Sequence, residues 1–280
     1  MSLLNYAVHV TPSIPVQITD RPPRLSQRMW SPTSSTLVYG DEDAVLVDPL
    51  MTVAQAERLC DWVARAGKRL THVYVTHGHG DHWFGLATVL ARFPDAQAVA
   101  TAGVVEHARS QAAPDFLASF WQARFPGEIP SKLTIPGILE GDTIELEGEQ
   151  LVVVELGHTD TDGTTALHVP SVGLVIAGDA VYNNVHLYLA ETPPPLRQSW
   201  LDALELIESL DARTAVAGHK DPHRSDSPVA IAETRRYIED FTSLEGRTTT
   251  NSELYDEMMA LYGGRVNNGA LWGSARAAKG

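Results

Sequence analysis

The sequence contains at residues 76–82 the stretch Thr76-His77-Gly78-His79-Gly80-Asp81-His82, which gathers three imidazoles and one carboxylate within six consecutive residues. Neutral imidazole and carboxylate are the usual protein ligands of zinc and similar ions. The apolar run at residues 70–75 predicts a buried strand that leads directly into this loop. The two intervening glycines predict a sharp backbone turn that lets the side chains converge. The stretch therefore predicts a metal site at the end of a strand.

Three further residues of ligand type follow apolar runs later in the chain. His158 follows residues 151–156, Asp179 follows residues 174–177, and His219 follows residues 214–217. The ends of strands are the positions from which loops build sites in folds of mixed helices and strands. Together with the first motif they make seven ligand-type residues in one ordered pattern, which is more specific than any single motif.

In these seven positions, and over residues 34–220, the sequence resembles the metallo-β-lactamase superfamily of hydrolases. The resemblance implies an α+β fold, a four-layer αββα sandwich, here with extra C-terminal helices. It also implies two divalent metal ions, with zinc as the expected metal and iron, manganese or cobalt as alternatives. The implied ligands are His77, His79 and His158 for one ion, Asp81, His82 and His219 for the other, and Asp179 as a bridge.

The function that the resemblance implies is hydrolysis, with a metal-bound hydroxide attacking a carbonyl. Two ions about 3.5 to 4 Å apart can share a water and lower its pKa. Asp81 or Asp179 would then take up the proton. Asp48, at the end of an earlier strand, resembles the family's carboxylate that orients a ligand histidine, although a plain turn residue fits equally well.

Differences between this sequence and individual branches of the family limit the range of substrates to be expected. Cys60 lies far from every ligand position, and a bridging Asp179 does not fit the cysteine-free β-lactamases. After His82 stand Trp83 and Phe84, where glyoxalase II proteins usually have two small residues. Tyr182, three residues after Asp179, resembles the acyl-homoserine-lactone lactonases. It would polarise the scissile carbonyl or protonate the leaving oxygen, unless it is simply packed in the core.

We therefore expect a lactone or another cyclic ester or amide as the substrate. The absence of an obvious polycationic clamp for phosphate or glutathione supports this expectation. Three alternatives remain: a thioesterase of the glyoxalase II kind, a sulfur dioxygenase with a single iron, and a non-catalytic, metal-dependent module that binds a small ligand.

Charge and composition argue against nucleic acid and membranes as binding partners and leave a small molecule as the expected substrate. The formal net charge of −14 argues against nucleic acid and anionic membranes, which require basic patches. No run of about 18 apolar residues occurs, and Met1–Leu4 lacks the features of a signal peptide. The single cysteine excludes an intrachain disulfide. We expect a cytoplasmic protein, although a mature extracellular chain would look the same, and a homodimer is left open.

One domain is expected over residues 1–280, with its core at about 34–220 and a helical extension at 227–280. Thr52 to Gln55 form a capping box that predicts a helix ending at Gly67, and residues 83–92 predict the helix after the metal loop. Residues 112–136 form an apolar insertion with four prolines. It either walls a substrate pocket, contacts a second subunit, or completes the core as a helical pair.

Overall fold

The computed structural model describes residues 4–280. The prediction that Met1–Leu4 is not a signal peptide therefore falls, apart from Leu4, outside the described residues. Thirteen strands are described: β1 (Asn5–Val10), β2 (Pro15–Val16), β3 (Arg28–Met29), β4 (Ser34–Tyr39), β5 (Asp43–Val47), β6 (Arg69–Tyr74), β7 (Gln97–Ala100), β8 (Gly137–Ile138), β9 (Thr143–Leu146), β10 (Glu149–Gly157), β11 (Thr164–Val169), β12 (Leu174–Asn183) and β13 (Thr214–Lys220).

The helices of residues 4–280 surround these strands. They are α1 (Val53–Arg65), α2 (Gly80–Trp83), α3 (Leu86–Arg92), α4 (Ala102–Gln111), α5 (Pro114–Phe116), α6 (Pro194–Ser209), α7 (Val229–Glu245), α8 (Asn251–Tyr262) and α9 (Asn268–Lys279). A π-helical segment, Leu117–Gln122, follows α5, and a 3-10 turn, Pro170–Val172, joins β11 to β12. Among the residues described, no helix is both long enough and apolar enough to cross a membrane.

Two sheets form the centre of the fold. One has the strand order β1-β4-β5-β6-β7-β8 and the other the order β13-β12-β11-β10-β9, while β2 and β3 pair separately. Between the two sheets lies an apolar cluster that includes Val45 and Tyr74 from the first sheet and Leu167 and Ile176 from the second. Burial of these side chains joins the sheets face to face.

Helices cover the outer face of each sheet. Leu59 of α1 and Val89 of α3 pack with Leu46 on the first sheet, and Trp200 of α6 packs with Val175 on the second. The resulting order of layers is helix, sheet, sheet, helix. The predicted αββα sandwich is confirmed.

The C-terminal helices belong to the second outer layer. Phe241 of α7, Met258 of α8 and Leu271 of α9 are buried in the same cluster as Trp200. The helical extension predicted at 227–280 is thus present, and it packs against the core. This packing brings α9 beside β3 at the edge of the site described below.

Two local predictions were wrong in detail. The helix expected over residues 83–92 is divided into α2 and α3, because Gly85 packs against the loop before α1: its amide donates to the Leu50 carbonyl at 2.9 Å, and a Cβ on Gly85 would lie 2.1 Å from the Pro49 carbonyl oxygen. The strand expected at 174–177 continues to Asn183 as β12. Its register shifts on both sides of Gly178, which has a φ of +51°, so the chain bulges there and continues as a strand.

Candidate metal centre

The loop between β6 and α2 carries the first motif, and its glycines are needed for close packing. The chain bends at residues 76–78, as expected, and neither Gly78 nor Gly80 has a positive φ. A Cβ on Gly78 would lie 2.5 Å from His107, and one on Gly80 would lie 2.3 Å from the ring of Phe84. The loop can approach α4 and α2 this closely only without side chains at these two positions.

The structure brings most of the predicted ligands into two groups of side chains. In each group the ligand atoms lie within 4.8 Å of one another: one contains His77, His79 and Asp160, and the other contains Asp81, His82 and His219. All of these residues are buried.

Asp179 lies between the two groups, as expected for a bridging residue. Its Oδ2 is 4.0 Å from Nε2 of His77 and 3.1 Å from Nε2 of His219, and its Oδ1 is 3.2 Å from Nε2 of His82. Gly218 leaves the space for this carboxylate, because a Cβ there would lie 2.1 Å from Oδ1 of Asp179.

His158, like Asp179, is a predicted ligand that belongs to neither group. Its Nδ1 lies 2.6 Å from the exposed carboxylate of Asp162. Its Nε2 is buried and has no hydrogen-bond partner. The prediction that His158 is a ligand therefore stays a prediction.

Each ligand histidine has one nitrogen engaged away from the centre. Nδ1 of His82 lies 2.9 Å from Oδ2 of Asp48, and Nδ1 of His219 lies 3.1 Å from the Pro32 carbonyl. Nε2 of His79 lies 3.3 Å from Oε2 of Glu191. An N–H that donates outward leaves the lone pair of the other nitrogen facing inward, which is the arrangement of metal-binding histidines.

The unsatisfied atoms support the same conclusion. Within residues 4–280, seven buried side-chain polar atoms have no hydrogen-bond partner, and such atoms are costly and require an explanation. Five of them belong to predicted ligands or to Asp160, namely Nε2 of His77, His82 and His158, Oδ2 of Asp160 and Oδ1 of Asp179. The two carboxylate oxygens lie close to a histidine nitrogen, at 2.9 Å for Asp160 and His79 and 3.2 Å for Asp179 and His82, as ion pairs without hydrogen-bond geometry. A set of inward-facing imidazole and carboxylate atoms of this kind fits divalent metal ions.

Charge within the centre is mutually balanced. Burial alone would lower the pKa of His82, because it disfavours the protonated imidazole. The carboxylates of Asp179 and Asp81 have the larger effect, so the pKa of His82 lies well above its usual value. In the same way, against burial, Asp179 raises the pKa of His219 to about 9. Burial and the neighbouring His82 lower the pKa of His77 to about 3. The carboxylates thus favour positive charge close by, which protonated His82 and His219 supply in the metal-free protein and metal ions would supply in their place.

Further residues support the centre, and sequence reasoning assigned a role only to Asp48. Its carboxylate accepts from the amide of Thr76 at 2.9 Å and also contacts His82, which is the contact an orienting role requires; the role itself stays a prediction. Trp30 donates from Nε1 to Oδ2 of Asp81 at 2.9 Å. Asp160 and Glu191, which both contact His79, are not predicted as ligands by the sequence.

Tyr182 lies on β12, fully buried. Its hydroxyl donates to Oδ2 of Asp179 at 2.9 Å, and burial together with Asp179 keeps its pKa well above the usual value. Tyr182 is therefore a neutral hydrogen-bond donor beside the centre. Its proposed contact with the substrate stays a prediction.

A cavity of about 360 Å³ opens onto the centre. Its lining includes five residues at or beside the centre, namely His79, Asp81, Asp179, Tyr182 and His219. Part of its wall comes from the apolar insertion, through Phe116, Phe120 and Trp121, and part comes from α9. Trp121 and Phe125 are also buried among core side chains below the cavity. The insertion thus has two of the roles weighed for it, pocket wall and core.

Comparison with known proteins assigns the chain to a family. The family model described as the metallo-beta-lactamase superfamily matches residues 28–219, which is more than half of the chain. The protein belongs to the metallo-beta-lactamase superfamily, whose members are largely metal-dependent hydrolases.

Solved structures show the same fold. A metallo-beta-lactamase family protein from Thermus thermophilus superposes with a TM-score of 0.61 at 20% identity, covering 97% of this chain and 91% of that one. A metallo-beta-lactamase from Pontibacter korlensis superposes with a TM-score of 0.60 at 18% identity, covering 84% of this chain and 100% of that one. At these identities the likeness concerns the fold alone.

Sequence relatives match only locally. The chain is 46% identical over 63 residues to a hydroxyacylglutathione hydrolase of Parasynechococcus marenigrum, which is 22% of this chain and 23% of that protein. It is 31% identical over 67 residues to one of Francisella tularensis subsp. holarctica, 24% of this chain and 25% of that protein. The chain thus spans about a quarter of the length of these relatives.

Proposed function

We propose that this protein, folded as one domain over residues 1–280, is a hydrolase with two divalent metal ions that cleaves an ester bond, in its preferred form a lactone. The observation that carries the proposal is that both groups of ligand atoms reach the same cavity, through His79 from one group and Asp81 and His219 from the other, and that part of its wall is aromatic. Ligand pockets are mostly apolar with a few well-placed polar groups. Such a cavity suits an acyl compound with an apolar body.

The proposed ligands are those of the family pattern, with one addition. His77, His79 and His158 would hold the first ion, and Asp160 would join them because its Oδ2 lies 2.9 Å from Nδ1 of His79. Asp81, His82 and His219 would hold the second ion, and Asp179, which contacts residues of both groups, would serve both. Zinc is the proposed metal. Bound ions of this kind supply a water of lowered pKa and positive charge opposite a developing oxyanion.

Side chains of the protein position the carboxylates and transfer protons. Trp30 holds Oδ2 of Asp81 and Tyr182 holds Oδ2 of Asp179, so that each carboxylate keeps its second oxygen for other contacts. Asp81 or Asp179 takes up the proton released as water attacks the carbonyl. Tyr182 borders the cavity as a neutral phenol, and we assign to it the polarisation of the carbonyl or the protonation of the leaving oxygen.

A thioesterase that cleaves S-acyl glutathione is the second candidate. It is favoured by the local similarity to hydroxyacylglutathione hydrolases. Against it stand Trp83 and Phe84, which occupy the two positions after His82 and are both fully buried in the core. The two candidates share the metal centre and differ in the leaving group, oxygen or sulfur.

The test is a comparison of substrates on metal-replete protein. Proton release from a long-chain acyl-homoserine lactone and thiol release from S-lactoyl glutathione are measured with and without a chelator, and bound metal is counted by mass spectrometry. Acid from the lactone that disappears with chelator, at two metals per chain, supports the proposal. Faster thiol release selects the thioesterase. One iron per chain with oxygen consumption on a persulfide would replace both with a dioxygenase.

A further inference from the structure

Three arginines line the cavity together with the metal ligands. Arg28 of β3, Arg124 after the π-helical segment and Arg276 of α9 all line it. They are far apart in sequence, and the fold collects them in a chain whose formal net charge is −14. The cationic clamp that was not evident in the sequence is therefore present in three dimensions.

Two of these arginines share one carboxylate. Asp20 lies 3.1 Å from Nη1 of Arg28 and 2.8 Å from Nη1 of Arg276, and it accepts from Nε1 of Trp272 at 2.9 Å. Arg28 also donates to the Gly269 carbonyl at 2.8 Å. One negative charge facing two positive charges leaves this part of the wall positive.

Arg124 has no carboxylate within 4.0 Å among residues 4–280. Its Nη1 donates to the Phe120 carbonyl at 2.9 Å, and its guanidinium lies 3.8 Å from the centre of the Phe120 ring. Burial and the charge of Arg28 lower the pKa of Arg124, which indicates that its charge is incompletely compensated. A guanidinium has five N–H donors, and the carbonyl bond uses one of them.

We propose that Arg124, together with Arg28 and Arg276, forms a subsite for a carboxylate of the substrate, so that the substrate is an acyl compound that bears a carboxylate away from its scissile carbonyl. This inference rests on the proposed function. The planar fork of a guanidinium matches the two oxygens of a carboxylate. Asp20 shows that side chains of this wall already hold a carboxylate.

Aromatic rings separate the subsite from the metal centre. The guanidinium of Arg124 stacks on the ring of Phe120, and the centre of that ring lies 6.5 Å from the centre of the Trp30 ring. Trp30 in turn donates a hydrogen bond from Nε1 to Asp81. The substrate is thus expected to place an apolar segment along these rings, with its carbonyl at one end and its carboxylate at the other. We therefore expect an ester or lactone that bears such a carboxylate to bind more tightly than its neutral counterpart.

The experiment measures binding, which does not depend on turnover. The probes are 4-phenylbutyrate and its neutral amide, 4-phenylbutanamide, and the readouts are calorimetry and quenching of tryptophan fluorescence, since Trp30 and Trp121 line the cavity. Wild-type protein should prefer the carboxylate. Arg124→Gln should reduce the ratio of the two affinities about tenfold or more, the scale of a charge-assisted hydrogen bond. Arg109→Gln, at an exposed position on α4, should keep the wild-type ratio.

Metal-free protein separates this subsite from the metals. A preference that survives chelation and is lost in Arg124→Gln supports the proposal. A preference that is lost on chelation but kept in Arg124→Gln shows that the carboxylate binds the metals, and it overturns the proposal, as does equal affinity of wild-type protein for both probes. Arginine-dependent binding by a protein that hydrolyses no ester would count against the proposed function alone.

Discussion

Tyr182 donates a hydrogen bond from its hydroxyl to Oδ2 of Asp179, at 2.9 Å, and both residues lie on β12. The same oxygen lies 3.1 Å from Nε2 of His219. The phenol therefore touches the carboxylate that stands between the two groups of ligands. Any role of Tyr182 in the reaction is exerted from this position.

Tyr182→Phe should lower kcat and leave the metal content intact. The substitution removes one hydrogen bond to a charged group, whose loss corresponds to about a ten- to hundredfold effect. The measurement is kcat on the hydrolysed ester together with metal counted by mass spectrometry. Tyr6→Phe serves as the control, because the Tyr6 hydroxyl bonds Thr214 instead. Unaltered kinetics would make Tyr182 a packing residue.

Asp179→Asn should reduce metal content or activity at least tenfold, the scale on which a metal's close partners matter. The carboxylate is within 4.0 Å of His77, His82 and His219, and an amide removes its negative charge. Metal is counted after dialysis against a competing chelator. The exposed Asp142→Asn is the matched control. An unchanged enzyme would exclude Asp179 as the bridge.

Cys60 should react slowly as long as the protein is folded. Burial raises the pKa of its thiol to about 11, and the thiolate is the reactive form. The thiol ionises near pH 9 in the unfolded chain but only near pH 11 in the folded protein. Cys60 therefore lowers the free energy of unfolding as the pH rises from 9 toward 11, and has no such effect below pH 9. Alkylation by iodoacetamide at about pH 8 should be at least tenfold slower in native than in guanidinium-unfolded protein. Equal rates would place Cys60 at an accessible site.

The sequence alone correctly predicted those helices and strands whose formation depends on residues close together in the chain. The capping box at Thr52 is present, and the apolar runs before His158 and His219 are strands β10 and β13. The pattern of ligand residues then predicted the fold, and the structure brings Asp81, His82 and His219 together as expected.

What the sequence could not predict depends on contacts between distant segments. Gly85 interrupts a helical pattern because of the Pro49 carbonyl, a contact that periodicity does not contain. Glu191 contacts His79, although the two residues are 112 positions apart in the sequence. Arg124 and residues of α9 line the same cavity, although they are also distant in the sequence. A search for acidic residues within a few positions of a proline-rich turn could have flagged Glu191, but nothing local distinguishes Arg124 from other arginines.

Asp48 should act on one metal of the pair. Asp48→Asn weakens the acceptor for Nδ1 of His82 and should lower the affinity of the second ion about ten- to hundredfold, as for other partners of ligand histidines. Stepwise titration of the metal-free protein with cobalt, followed by visible absorption, resolves the two sites. Circular dichroism checks folding, because Asp48 is buried and also holds Thr76. Two unchanged affinities would leave Asp48 a turn residue.

Glu191 should act in the same way on the other metal. Its Oε2 lies 3.3 Å from Nε2 of His79 and accepts from Oγ1 of Thr161 at 3.0 Å, so it holds the imidazole with Nδ1 directed toward Asp160. Glu191→Ala should weaken the first ion about ten- to hundredfold and spare the second, and exposed Glu106→Ala should change neither. In the cobalt titration, complementary losses in Asp48→Asn and Glu191→Ala require two separate ions. Loss of the same single transition in both variants would instead mean that the centre holds one metal.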